Sequence, residues 1–304
     1  MLALSSLAAA ICAIVLAPLL LGVVNRTKAF VAGRRGPPLV QLYWDLAKYM
    51  RRGAVYGETT GLLFRLGPVI SLAVIVAALL VVPLGGIGAP LAFTGDLIVL
   101  AGLIALGRFA TVLAALDTGS SFEGMGASRE MHFAALAEPA LLLALATLAH
   151  VTRSPSLTPI YQGINAAAWI GGLPTFALTA MTLLVLTLVE NTRIPVDDPT
   201  THLELTMIHE VMVLDHSGPD LGYIHYAAAL KFWIFGSLLI GLLIPVRSGI
   251  FWIDLAAMLA GLVALAVAVG IIESTMARYR LVHVPQFIVG AATLSVVAFI
   301  VRMV

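Results

Sequence analysis

The sequence predicts an all-α, polytopic membrane protein of about eight transmembrane helices, and three observations carry that expectation. Hydrophobic residues make up 61% of the chain and charged residues only 11%, with a mean hydropathy of +1.04, well outside the range of soluble globular proteins. The apolar residues form continuous runs of the length an α-helix needs to cross about 30 Å of hydrocarbon. They do not alternate, and they are too long for barrel strands, which excludes a β-barrel. Lys and Arg also segregate between alternate connections, the mark of an ordered insertion.

In chain order, the apolar runs cover residues 2–24, 65–84, 95–117, 132–151, 174–190, 226–246, 250–272 and 284–302. The first lacks a basic leader and a small-residue cleavage site, and Asn25, Arg26 and Lys28 follow it. It therefore reads as a retained span, not a signal peptide. In the connection that follows, Gly33-Arg34-Arg35-Gly36-Pro37-Pro38 is a turn, because paired prolines cannot continue a helix. Residues 39–52 then have helical spacing. Leu39, Leu42, Tyr43, Leu46 and Met50 fall on one face and Asp45, Lys48 and Arg52 on another, the pattern of an amphipathic interfacial helix. The glycine-rich run 117–129 has no Gly-Lys-Ser/Thr ending, so it reads as a flexible turn and not as a phosphate loop. Within the fourth span Pro139 frees a backbone carbonyl and predicts a kink. The connection 152–173 carries one charge, and its Tyr161 and Trp169 suit an interfacial aromatic belt.

Orientation follows from the basic residues. Connections after the odd-numbered spans hold Arg26, Lys28, Arg34, Arg35, Lys48, Arg51, Arg52, Arg65, Arg129, Arg193, Arg278 and Arg280. The other connections and the termini hold Arg153, Arg247 and Arg302. Twelve against three predicts that the odd connections face the cytoplasm and that both termini lie on the non-cytoplasmic side. With no internal repeat or linker, residues 1–304 read as a single integral membrane domain. Cys12 is the only cysteine, so the chain offers no thiolate set for a zinc ion or an iron–sulfur cluster.

Charges inside spans are costly, about 2.5–3.5 kcal/mol each at mid-membrane, and turn towards a polar interior. Arg108, Glu138, Lys231 and Glu273 occupy such positions. They predict a polar track or static ion pairs, Arg108 with Glu138 for instance. Arg129 and Glu138 are nine residues apart, about half a turn out of alignment, so each is expected to pair with another helix.

The densest polar stretch is 190–210. It contains Glu190, Arg193, Asp197, Asp198, His202, Glu204, His209 and Glu210. Asp198 before Pro199 predicts a helix start, with Leu203, Met207, Glu210 and Leu214 on one stripe and His202, Thr206, His209 and Val213 on another. His202 and His209 lie about 10 Å apart along that axis, too far to share a metal. His209-Glu210 also lacks the second histidine of a zinc-protease motif, because residue 213 is Val. Alternating acids with Arg193 and the histidines suit proton transfer or a switchable ion-pair network. No nucleophile–base–oxyanion arrangement is present for hydrolysis.

The stretch Glu190-Asn-Thr-Arg193-Ile-Pro195-Val-Asp197, with Glu204 fourteen residues after Glu190, resembles the signature of the first membrane subunit of respiratory complex I. Gly33-Arg-Arg-Gly-Pro37 and Ser128-Arg129 followed by Glu138 match elsewhere, and the resemblance runs from about residue 20 to residue 290. Thr200 and His202 stand where that subunit carries acids, and Val196 replaces its phenylalanine. The run from Arg193 to Glu210, with Arg278-Tyr-Arg280 and Val284-Pro285-Gln-Phe, is more similar to the corresponding subunit of membrane-bound group 4 [NiFe] hydrogenases of the formate hydrogenlyase and hydrogenase-4 type.

That resemblance implies a multi-pass anchor in the inner (plasma) membrane of a bacterium or archaeon, with an energy-coupling role and no catalytic residue of its own. It implies soluble hydrogenase large and small subunits, a ferredoxin-like subunit and antiporter-like membrane subunits as partners, besides the lipid bilayer, and no nucleic acid. The nickel–iron centre and iron–sulfur clusters would reside in those partners, with no cofactor bound by this chain. By carry-over, Glu138, Glu190, Asp197, Glu204 and Glu210 are the proton-path acids and Arg129 and Arg193 their charge partners. His202, His209 and Lys231 complete the coupling set. Arg34, Arg35, Asp45 and Lys48 form the docking surface. A quinone site, as in complex I, is the alternative use of the same face.

Overall fold

A computed structural model describes residues 2–197 and 207–303. Helix α1 (Leu2–Val31) is followed by the short α2 (Gln41–Met50), then α3 (Leu62–Val81), α4 (Asp96–Asp117) and α5 (Ser121–Thr152). Two short helices, α6 (Leu157–Gly163) and α7 (Ala166–Gly171), lead to α8 (Leu173–Glu190). A single turn, α9 (His209–Met212), precedes α10 (Gly218–Leu243), α11 (Phe251–Thr275) and α12 (Val284–Met303). Eight of these helices are long and apolar enough to cross a membrane, and no strand occurs among the described residues. The chain is a multi-pass membrane protein.

Helix α10 is the hub of the bundle. It packs against α1, α2, α3, α8 and α11, and its Phe232, Trp233 and Phe235 are among the largest buried side chains. Around it, α3 pairs with α4, α1 with α11, and α12 with both α5 and α8. In lipid the hydrophobic effect does not drive helices together, so close packing at small residues does that work. At α1, Gly22 lies directly under the backbone carbonyl of Leu39, a contact that no larger residue allows.

The spans are longer than their apolar runs. α1 continues to Val31, α5 begins at Ser121 and α10 at Gly218, because a helix keeps its backbone hydrogen bonds after its side chains turn polar. The run 117–129 is therefore not a flexible turn: from Ser121 it is the first two turns of α5. Its glycines serve approach instead, Gly126 lying against the Ile208 carbonyl and the Val211 side chain. Pro139 sits within the continuous α5.

The amphipathic helix forms at Gln41–Met50, but none of its residues is buried. It leans on α10 and α1, with Tyr49 stacked on His225 at 5.8 Å and the Tyr43 hydroxyl donating to the Val15 carbonyl. Tyr161 departs from the aromatic-belt reading. It is fully buried and donates to the Leu238 carbonyl at 2.9 Å, and Trp169 likewise donates to the Leu242 carbonyl at 2.7 Å. Both rings pin α6 and α7 to the end of α10.

That same face is fastened by buried polar clasps. Asp96 accepts from the Ser156 hydroxyl and the Leu157 N–H, each at 2.7 Å, and Asp254 accepts from Ser248. Arg247 donates to the carbonyls of Tyr161, Gly241 and Ile244.

The helix expected to run on from Asp198 is not continuous. Met207 and Ile208 are non-helical, and the helix here is the single turn His209–Met212. The Asp197 carboxylate accepts from the Ile208 and His209 N–H groups at 3.2 and 3.3 Å, which starts the chain afresh at that point.

Candidate functional site

Three ion-pair clusters lie at and below the end of the bundle that carries residues 190–197. The largest is centred on Arg108 of α4. Its Nε donates to Glu130 at 3.1 Å, one terminal nitrogen donates to Glu138, and the other to Glu190. Lys231 of α10 adds a second cation to Glu190 at 2.9 Å. Glu130 and Glu138 both come from α5, eight residues and about 12 Å apart along the axis, so a planar, five-donor guanidinium suits the span between them. Arg108 and Glu190 are buried, with side chains 5% and 2% exposed, whereas Glu138 is 36% exposed.

Three carboxylates thus face two cations. With every group ionised the cluster carries one negative charge in excess. The buried Glu190 is served by both cations, which leaves the surplus on the α5 side of the cluster, where the Glu138 side chain is 36% exposed.

The second cluster holds the chain just after α8. Thr192 adopts a left-handed conformation (φ 49°), and the Arg193 N–H returns to the Leu188 carbonyl at 2.9 Å, a helix-ending turn. That turn aims Arg193 at the buried Glu273 of α11, 3.3 Å away, with its guanidinium 5.9 Å from the centre of the Phe232 ring. Lys28 of α1 reaches the same carboxylate at 2.8 Å.

The third cluster surrounds Asp197, which pairs with Arg278 at 2.6 Å as well as accepting the two N–H groups after Met207. Arg129 of α5 donates to the Met207 carbonyl at 2.8 Å.

Two cavities meet at these clusters. One, narrow, is lined by Arg108, Glu130, Glu190 and Lys231. The other, of about 1060 Å³, lies between α1, α2 and α10 and is bordered by Asp45, Arg193, Glu210 and His225. Asn191, Thr192 and His209 belong to both walls. Burial pushes the His209 imidazole below its ordinary value, which favours its neutral form. Burial would raise the Asp45 carboxyl, but hydrogen bonds from Lys48 at 2.9 Å and Gln41 at 3.2 Å outweigh it and hold the group below its usual value.

Of the residues singled out from sequence, Glu138, Glu190 and Lys231 converge on Arg108. Asp197 and Arg129 meet at the 207–209 segment, and His209 and Glu210 line the cavities. Among the described residues Arg193 pairs with Glu273 of α11. Arg34 and Arg35 are exposed, whereas Asp45 and Lys48 pair with each other. His202 and Glu204, with Asp198 and Thr200, lie outside the described residues. Sequence reasoning missed Glu130, Lys28 and the central position of Arg108. Glu130 becomes visible only once α5 is seen to begin at Ser121, which makes it a helical neighbour of Glu138. Among the described residues no group of three or more His, Cys, Asp or Glu side chains is placed to hold a metal ion.

A family model described as NADH dehydrogenase matches residues 4–303. Formate hydrogenlyase subunit 4 of Escherichia coli (strain K12) is 30% identical over 296 residues, covering 93% of each chain. Hydrogenase-4 component C of the same organism is 33% identical over 287 residues, covering 91% of this chain and 89% of its own. The fold matches a chain in the structure of the membrane-bound sulfane sulfur reductase, an archaeal respiratory membrane complex, with a TM-score of 0.82, 20% identity and 99% coverage of both chains.

Proposed function

The chain belongs to the NADH dehydrogenase family, and on that footing we propose that it is the membrane-anchoring and energy-coupling subunit of a group 4 [NiFe] hydrogenase complex in the inner (plasma) membrane of a bacterium or archaeon. Its relatives are named as parts of formate hydrogenlyase and hydrogenase-4, which supports a role inside a multi-subunit assembly. The nickel–iron and iron–sulfur groups belong to soluble partner subunits that dock on the face carrying Arg34 and Arg35, with antiporter-like subunits alongside in the membrane.

The observation that carries this reading is the Arg108 cluster, where three carboxylates on two helices compete for two cations inside the bundle. Moving one proton on or off such a cluster redistributes its ion pairs. Redistribution pulls on α4, α5, α8 and α10 together, which is how proton occupancy becomes a change in helix packing. His209, lining both cavities, is the neutral acceptor between the cluster and the face that docks the redox module.

The test is Glu190→Gln in the assembled complex. Coupled hydrogenase activity is expected to fall about 100-fold, while the dye-linked activity of the soluble module is retained. Wild-type coupled turnover in this variant and in Glu138→Gln would sink the proposal.

One observation favours a second reading, a quinone-site subunit of a complex I-like oxidoreductase. The cavity between α1, α2 and α10 is lined by apolar Leu21, Leu42 and Ile224 as well as by polar groups, as an amphipathic ligand requires. Co-purified quinone, or inhibition by quinone-site inhibitors, decides for it.

A further inference from the structure

The face opposite the three ion-pair clusters has a basic pocket of its own. Of the three arginines in its connections and termini, Arg247 is taken up by backbone carbonyls. The other two, Arg153 and Arg302, are 149 residues apart in sequence yet line one open pocket of about 930 Å³ with His150 and Ser154. Among the described residues no carboxylate lines the pocket. Neither arginine has an ion-pair or hydrogen-bond partner among the described residues.

The pocket is built and not a chance gap. Arg153 occupies a left-handed backbone conformation (φ 53°) at the end of α5, a position where glycine is the ordinary choice. An arginine kept at a strained position points to a task for its side chain. The turn beyond it is fixed by the Ser154 N–H to the Ala149 carbonyl at 3.1 Å and by the Gly95 N–H to the Pro155 carbonyl at 3.0 Å. On the other wall Arg302 lies in the last turn of α12, whose Phe299 ring packs 6.0 Å from that of His150. Cations at helix C-termini complement the dipole of their own helix. That accounts for each arginine singly, but not for two helices directing both, with a histidine, into one cavity.

Below the pocket, Leu142 of the membrane-spanning α5 is exposed on the face that carries Arg153, eleven residues or about three helical turns away. A site with clustered cations at the water interface and an apolar wall beneath matches a lipid with an anionic head and acyl chains. Guanidinium groups take phosphate oxygens in paired hydrogen bonds. We propose that this pocket binds the phosphate of an anionic phospholipid, held by Arg153 and Arg302 with His150 beside it, and its acyl chains against α5.

The test uses the chain in its native complex, exchanged into vesicles of phosphatidylglycerol and phosphatidylethanolamine and then examined by native mass spectrometry. Retained phosphatidylglycerol is expected to drop about tenfold in R153Q/R302Q relative to wild type and to recover in R153K/R302K. Should the double variant fail to assemble, R302Q alone gives the same reading, with a smaller drop. Equal retention in wild type and the glutamine variants overturns the proposal. So does displacement of the lipid by inorganic phosphate, which makes this a free-phosphate site. Loss of a neighbouring membrane subunit with lipid retention unchanged identifies a protein partner and also overturns it.

Discussion

At the scale of single residues, the molecule is dominated by what Arg108 does. Replacing it with Met strands three carboxylates and leaves only Lys231 to answer them. Stability is expected to fall by about 3–5 kcal/mol, read as a lower thermal unfolding midpoint in detergent. Arg108→Lys is expected to rescue little, because a compact ammonium lacks the planar fork that spans carboxylates spread over α5 and α8. The pairing of Arg108 with Glu138 was legible in the sequence, since buried charges of opposite sign seek each other. Glu130 was not, because hydropathy ends the span where side chains turn polar, while the helix continues through them. A second residue-scale expectation concerns His216, stacked on Phe64 at 3.9 Å and held by burial at about 4, below its ordinary 6.5. Between those two values the unfolded chain binds more protons than the folded one, so stability is full above pH ~6.5 and is lost as pH falls towards ~4. A His216→Phe variant keeps the stack and is expected to flatten that slope, measured as thermal midpoint against pH.

At the scale of elements, the eight spans were legible because apolar length is a direct physical requirement of the bilayer. Their ends were not, and neither was the break at Met207 and Ile208. Asp198 and Pro199 lie outside the described residues, but at Ile208 and His209 the N–H groups go to the Asp197 carboxylate, so the predicted stripe does not run through 207–214 as one helix. The amphipathic stripe of α2 correctly predicted a helix, yet its docking on α1 rests on a backbone contact that no stripe reveals. Gly22→Ala would drive a methyl group into the Leu39 carbonyl. The expected cost is about 1–3 kcal/mol. It would be seen as faster tryptic cleavage at Arg51 and Arg52, with α2 lifting from α1 and α10.

At the scale of the whole molecule, the basic residues on the two faces predict which end meets the cytoplasm. In intact cells, an impermeant thiol reagent is expected to label Arg153→Cys and to spare Arg35→Cys; the opposite labelling reverses the orientation. The ion pairs also tie distant parts of the chain. Asp197 holds Arg278, and Arg193 holds Glu273, which holds Lys28. Arg193 itself lies three residues beyond Glu190 and the Arg108 cluster. In mechanical terms, residues 190–197 are a bracket with struts to the first and seventh spans and a pin in the bundle interior. A load applied there is shared between membrane helices instead of being absorbed by a compliant loop. Because Asp197 closes onto residue 208, the bracket is tied off at its base. Cutting the tie with Asp197→Ala would free Arg278 and the 208–209 backbone together, and a push on this end of the bracket would no longer reach the membrane.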